Sequence, residues 1–98
     1  MRVEIIKDCM DLMGGFELLQ TFKRKPVLLT VIDTLGSYPK PQRKGDTVRA
    51  SDKDLGAYLS VSNVRNACKL ADLDFIGMPH ALSLIRYNLE QALTILQE

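Results

Sequence analysis

Ninety-eight residues, 46% apolar and 26% charged, suit one hydrophobic core and exclude a disordered or fibrous chain. A formal net charge of +1 hides an uneven distribution: from Lys23 to Arg49 seven cations meet two acids, and elsewhere six cations meet ten acids. No apolar run reaches the ~18 residues of a membrane span, and Glu4 and Asp8 interrupt the opening segment, so a cytoplasmic protein with no membrane partner is expected.

Val3, Ile6, Met10 and Met13 fall three and four residues apart, with Ile5, Cys9 and Leu12 beside them, which predicts an amphipathic helix over 3–13. Gly14-Gly15 predicts a stop or kink, followed by a further turn or two through Phe16, Leu18, Leu19 and Phe22. Lys23-Arg24-Lys25 places cations where a helix ends, and Pro26 suits the first turn of the next one. Leu28, Val31, Ile32 and Leu35 then repeat at i, i+3, i+4 and i+7 before Gly36. The β-branched residues Val27, Thr30, Val31, Ile32 and Thr34 make a strand the competing reading of 26–35.

Residues 36–46 hold two prolines, two glycines and three cations without apolar periodicity, and predict an exposed basic loop. Thr47 to Ala50 suits a short strand, and Ser51, followed by Asp52 and Asp54, suits a helix N-cap. A short helix through Leu55, Tyr58 and Leu59 is expected, then a turn and new cap at Ser60-Val61-Ser62-Asn63. The next helix has Val64, Ala67, Cys68 and Ala71 on its apolar face, with Leu70 as a further candidate, and ends near Leu73. Asp74-Phe75-Ile76-Gly77 reads as a short extended piece. Met78-Pro79 opens a last helix over 79–98, with Leu82, Ile85, Leu89, Ala92 and Leu96 spaced three and four apart. The expected fold is one mostly α domain over 1–98, with five or six helices and at most one short β-hairpin.

Chemistry-bearing residues are sparse. Cys9 and Cys68 lie far apart among apolar neighbours and read as buried free thiols. His80, the only histidine, has no acid or cysteine at ligand spacing, and Gly14-Gly15 lacks the strand and lysine of a nucleotide loop. No catalytic residue, metal ligand or cofactor is assigned, and an enzyme is not expected.

The stretch Ser51 to Gly77 resembles the helix-turn-helix core of bacterial DNA-binding regulators, winged-helix ones included. Leu55 and Leu59 would face the core, Gly56 or Ala57 would allow a close helix crossing, and Val61 would anchor the turn. Val61 and Val64 stand closer together than that family's turn places them, so the turn is expected to be shortened or rebuilt. With Leu28 to Leu35 as a first helix and Phe75-Ile76 starting a strand, the resemblance covers residues 26–77. It implies a transcriptional regulator that binds DNA as a homodimer. Ser62, Asn63, Arg65, Asn66 and Lys69 would meet the major groove, and the loop cations Arg43, Lys44 and Arg49 would hold phosphates, with Tyr38 able to stack. The seam Leu82, Ile85, Leu89, Ala92 and Leu96 reads either as core or as a dimerisation helix. The residues also support a second function, a protein-interaction module such as a small adaptor, inhibitor or secretion-associated protein. Met1, Met10 and Met13 would give it an adaptable apolar surface.

Overall fold

In the computed structural model, residues 2–41, 43–44, 47–48 and 52–98 are described. They form four α-helices rather than five or six: α1 (Arg2–Met13), α2 (Thr21–Gly36), α3 (Asp52–Asp72) and α4 (Met78–Gln97), with a single 3-10 turn at Phe16–Leu18 between α1 and α2. The chain is all-α in class. Its β structure among the described residues is one antiparallel pairing of β1 (Arg43–Lys44) with β2 (Thr47–Val48), Arg43 opposite Val48 and Lys44 opposite Thr47. Two residues per strand is below ordinary strand length.

Each helix packs on the next in sequence, and α1 also packs on α4, which closes a ring of four. Side-chain contacts give the directions. Arg2 at the start of α1 lies 4.0 Å from Asp54 at the start of α3. Lys25 near the start of α2 bonds Asp74 just past the end of α3, and Arg86 in the first half of α4 bonds Glu17 just past the end of α1. Successive helices therefore run up, down, up and down. The core gathers one stripe from each: Ile6, Cys9 and Met13; Leu28, Val31 and Leu35; Ala57, Val61, Val64, Cys68 and Ala71; and Leu82, Ile85, Leu89 and Ala92.

Of three expected breaks, one falls as expected and two do not. Gly15 does end the first unit, at φ +72, a left-handed conformation that glycine adopts without a Cβ penalty. Pro26, in contrast, sits inside α2 rather than opening a helix. It lies only in the second turn, and the carbonyl it leaves unpaired belongs to exposed Phe22, where water can replace the lost bond. Helix, not strand, therefore holds residues 26–35.

The expected turn at Ser60 to Asn63 is absent, because α3 passes through these residues without interruption for 21 residues. The spacing explains why. Ala57, Val61, Val64, Cys68 and Ala71 stand at i, i+4, i+7, i+11 and i+14, one unbroken helical stripe, so a turn would throw half of it out of the core. Leu55 and Leu59, expected inside, lie on the opposite face and are exposed. Ser51, the expected cap, lies outside the described residues.

Leu73 to Gly77 forms a compact reversal rather than a strand. The Asp74 N–H donates to the Ala71 carbonyl and the Phe75 N–H to the Leu70 carbonyl, at 3.1 and 2.9 Å, closing a Schellman cap around Asp74 at φ 63. Aspartate occupies the position glycine usually takes, and its carboxylate receives the Lys25 ammonium at 3.1 Å. Gly77 then precedes α4, with Pro79 in its first turn.

Candidate interaction surface

The residues expected to read DNA do not share one surface. Ser62, Asn66 and Lys69, at i, i+4 and i+7, do line the outer side of α3, Ser62 half-buried and the other two exposed. Asn63 turns toward α4, where its Nδ2 donates to Asn88 Oδ1 at 3.3 Å. Asn88 is the one polar side chain among the buried described residues, and its own Nδ2 donates to the Leu84 carbonyl at 2.8 Å, so the pair ties α3 to α4 at a fixed register. Arg65 is half-buried, with its Nε shielded from solvent and without an acceptor.

The basic stretch is divided as well. Lys23, Arg24 and Lys25 stand at the start of α2, and Lys40, Arg43 and Lys44 beyond its end, with roughly 17 Å of helix between Lys25 and Gly36. Arg49 lies outside the described residues. Tyr38, expected on the loop surface, is buried beside Tyr58, ring centroids 6.5 Å apart, and burial pushes its phenol up from the ordinary value. The seam offered for dimerisation is occupied within the chain: Leu82, Ile85, Leu89 and Ala92 are core and Leu96 packs against them. Met13 is core too, and Met10 is half-buried against it.

The thiols are inward-facing. Burial, with a smaller contribution from Asp8, pushes Cys9 up to about 11; burial, then the neighbouring Cys9, pushes Cys68 up to about 12. Both are fully buried and free, the environment of inert core thiols. Among the described residues no group of three His, Cys, Asp or Glu side chains could hold a metal ion, and no helix is long and apolar enough to cross a membrane.

What the fold does assemble is an apolar tip. One end of the bundle is built from the 3-10 turn, the start of α2, the α3–α4 reversal and the start of α4. Three polar contacts clamp these pieces together: Lys25 to Asp74, Arg24 Nη2 to the Glu17 carbonyl at 3.1 Å, and Arg86 Nη1 to Glu17 Oε1 at 2.9 Å. From this end project Leu18, Phe22, Leu73 and Phe75, with relative exposures of 89, 71, 63 and 74%. Among the described residues they are four of the five large apolar side chains more than 60% exposed, the fifth being Tyr87. Beside them opens a cleft of about 300 Å³, floored by Phe16, Met78, Pro79 and Leu82 and edged by Glu17, Arg24, Ser83 and Arg86. The Arg24 guanidinium lies over the Phe16 ring, 5.8 Å from its centroid.

Sequence reasoning placed Leu18 and Phe22 in a further turn or two after Gly15, and gave Leu73 and Phe75 only as the end of one helix and the start of a strand. The available signal was phase: Phe22 falls in step with Leu29, another exposed residue, and not with Leu28, Val31 and Leu35. No family model, curated protein or solved structure matches the chain.

Proposed function

We propose that the protein is a protein-interaction module that meets another polypeptide through the tip of its bundle. The observation that carries this reading is the concentration of Leu18, Phe22, Leu73 and Phe75 on one clamped end. Large apolar side chains cost free energy in water, and contiguous exposed groups of them, edged by charge, are the ordinary mark of a protein contact surface. Arg24 and Arg86 beside the group add the residue type most useful at such contacts. The test is site-specific photo-crosslinking in the native host, with benzoylphenylalanine placed at Leu18 or Phe75 and, as a control, at exposed Asp33. A discrete adduct from the tip positions and none from Asp33 is expected. Equal labelling from all three, or none, would reject the reading.

One observation favours a second reading, DNA binding. Ser62, Asn66 and Lys69 lie on the outer side of α3, where short polar side chains and a cation are of the types that contact base edges and phosphates. Mobility shifts at two salt concentrations test it. Binding that weakens steeply with salt and with Lys69→Ala supports this reading, and salt-independent or absent binding removes it.

A further inference from the structure

We infer that the cleft under Phe16 is the anchor site of that tip, and that its occupant is a peptide segment presenting a large apolar side chain next to an acidic one. The inference rests on the tip being a protein-binding surface, and goes beyond it by naming the chemistry of the partner.

Size limits the occupant first. About 300 Å³ lies at the bottom of the range for small-molecule sites, too little for a dinucleotide or haem-sized cofactor and ample for one or two side chains. The floor is apolar on all sides: Phe16 comes from the 3-10 turn, and Met78, Pro79 and Leu82 from the first turns of α4. A leucine or phenylalanine side chain buried there exchanges water for these carbons, and Met78 lets the floor adapt to either shape.

Charge limits it further. The rim holds two guanidinium groups against one carboxylate. Glu17 accepts from Arg86 through its side chain and from Arg24 through its backbone carbonyl. Because the backbone carbonyl carries no net charge, the rim remains positive by one. The Arg24 Nε is shielded from solvent and has no acceptor. A guanidinium offers five N–H donors in a fixed fork, and Arg86 commits its Nη1 to Glu17, so an incoming carboxylate can share the Arg86 fork. A basic peptide meets net repulsion at the same rim, and a wholly apolar one leaves the excess cation desolvated.

The test uses the full chain and three fluorescein-labelled synthetic dodecapeptides, followed by polarisation and by amide chemical-shift mapping. One alternates leucine and phenylalanine with glutamate at helical spacing; the second replaces every glutamate by lysine, and the third every apolar residue by serine. The first is expected to bind, shifting the amides of Phe16, Met78, Leu82, Ser83 and Arg86, and the other two to bind at least about tenfold more weakly. Ser83→Trp fills the cleft from an exposed position without replacing a core residue, and should remove binding while leaving the circular dichroism spectrum and thermal midpoint intact. Arg86→Glu should reverse the preference from the glutamate to the lysine peptide.

Peptide shifts confined to Leu18, Phe22 and Phe75, unaffected by Ser83→Trp, would overturn the cleft assignment and leave the tip reading standing. Shifts absent from this whole end would overturn both. Equal binding of glutamate and lysine peptides, or peptide-independent dimerisation that shields the cleft amides, would overturn the proposed occupant.

Discussion

Whether residues 60–63 are helix or turn can be decided by a proline at Ser62. Ser62 is the eleventh of the 21 residues of α3, deep in its interior. In an α-helix its N–H donates to the Tyr58 carbonyl, and a pyrrolidine ring both removes that bond and collides with that carbonyl, a change that costs about 3 kcal/mol or more. The damage is not local, because the helix on one side of the break carries Ala57 and Val61 and on the other Val64, Cys68 and Ala71, all of them core. For a domain of this length, ~3 kcal/mol corresponds to a fall of roughly 12–24 °C in the thermal midpoint. Ser62→Ala keeps the backbone bond and should change stability by less than about 0.5 kcal/mol. Urea unfolding followed by far-ultraviolet circular dichroism measures both variants. If Ser62→Pro stays within about 1 kcal/mol of the parent and of Ser62→Ala, the chain turns at this point after all, since proline is welcome at the first position of a new helix.

Other consequences are equally open to measurement. Gly56→Ala should raise stability by about 0.5–1 kcal/mol, because a Cβ there meets Ile95 Cδ1 at 3.6 Å, an ordinary contact, while the helix loses its most flexible residue; a lower unfolding midpoint would show that α3 and α4 approach too closely for a methyl. Asn63→Ala should cost about 1–3 kcal/mol by leaving Asn88 Oδ1 without its donor at a residue only 8% exposed, and adding Asn88→Leu should restore most of the loss; a double variant no better than the single one would refute that account. Alkali should destabilise the fold through its thiols. The folded-state values of about 11 and 12 lie above the ordinary thiol value of 9.0, so this contribution is intact below pH 9 and is lost as pH rises, by roughly 2–3 kcal/mol per thiol near pH 11. A Cys9→Ala, Cys68→Ala variant should lose less stability between pH 9 and 11 than the parent in chemical denaturation, and an identical loss would show the thiols are not responsible.

Residues whose role depended on periodicity were legible. Leu28, Val31 and Leu35, and the series Leu82 to Ala92, are core because three- and four-residue spacing leaves a helix only one way to turn them inward. What misled was local chemistry. Ser60, Ser62 and Asn63 have side chains that favour caps and turns, yet no individual preference of that kind exceeds about 1 kcal/mol, while the apolar stripe through Val61 and Val64 buries several side chains. Pro26 misled in the same way. The tip lay beyond reach for a different reason: its parts come from residues 16–25 and 73–86, and nothing in the order of residues states that an up-and-down bundle brings both to one end. Charge counting failed for the converse reason, since a helix standing between neighbours in sequence carries Lys25 and Lys40 to separate places.

The order of the helices along the chain bears on how the protein is made. The pair with the most extensive mutual packing, α3 and α4, is joined by the tight reversal at Asp74 and is synthesised after α1 and α2. Until it emerges, Ile6, Cys9, Phe16, Leu28, Val31 and Leu35 have only one another to shelter against, a few dozen residues with too little apolar area to hold a stable structure. Within these residues the apolar faces of α1 and α2 therefore stay without their α3 and α4 partners until the later hairpin is made, and the hairpin then offers the surface that covers them.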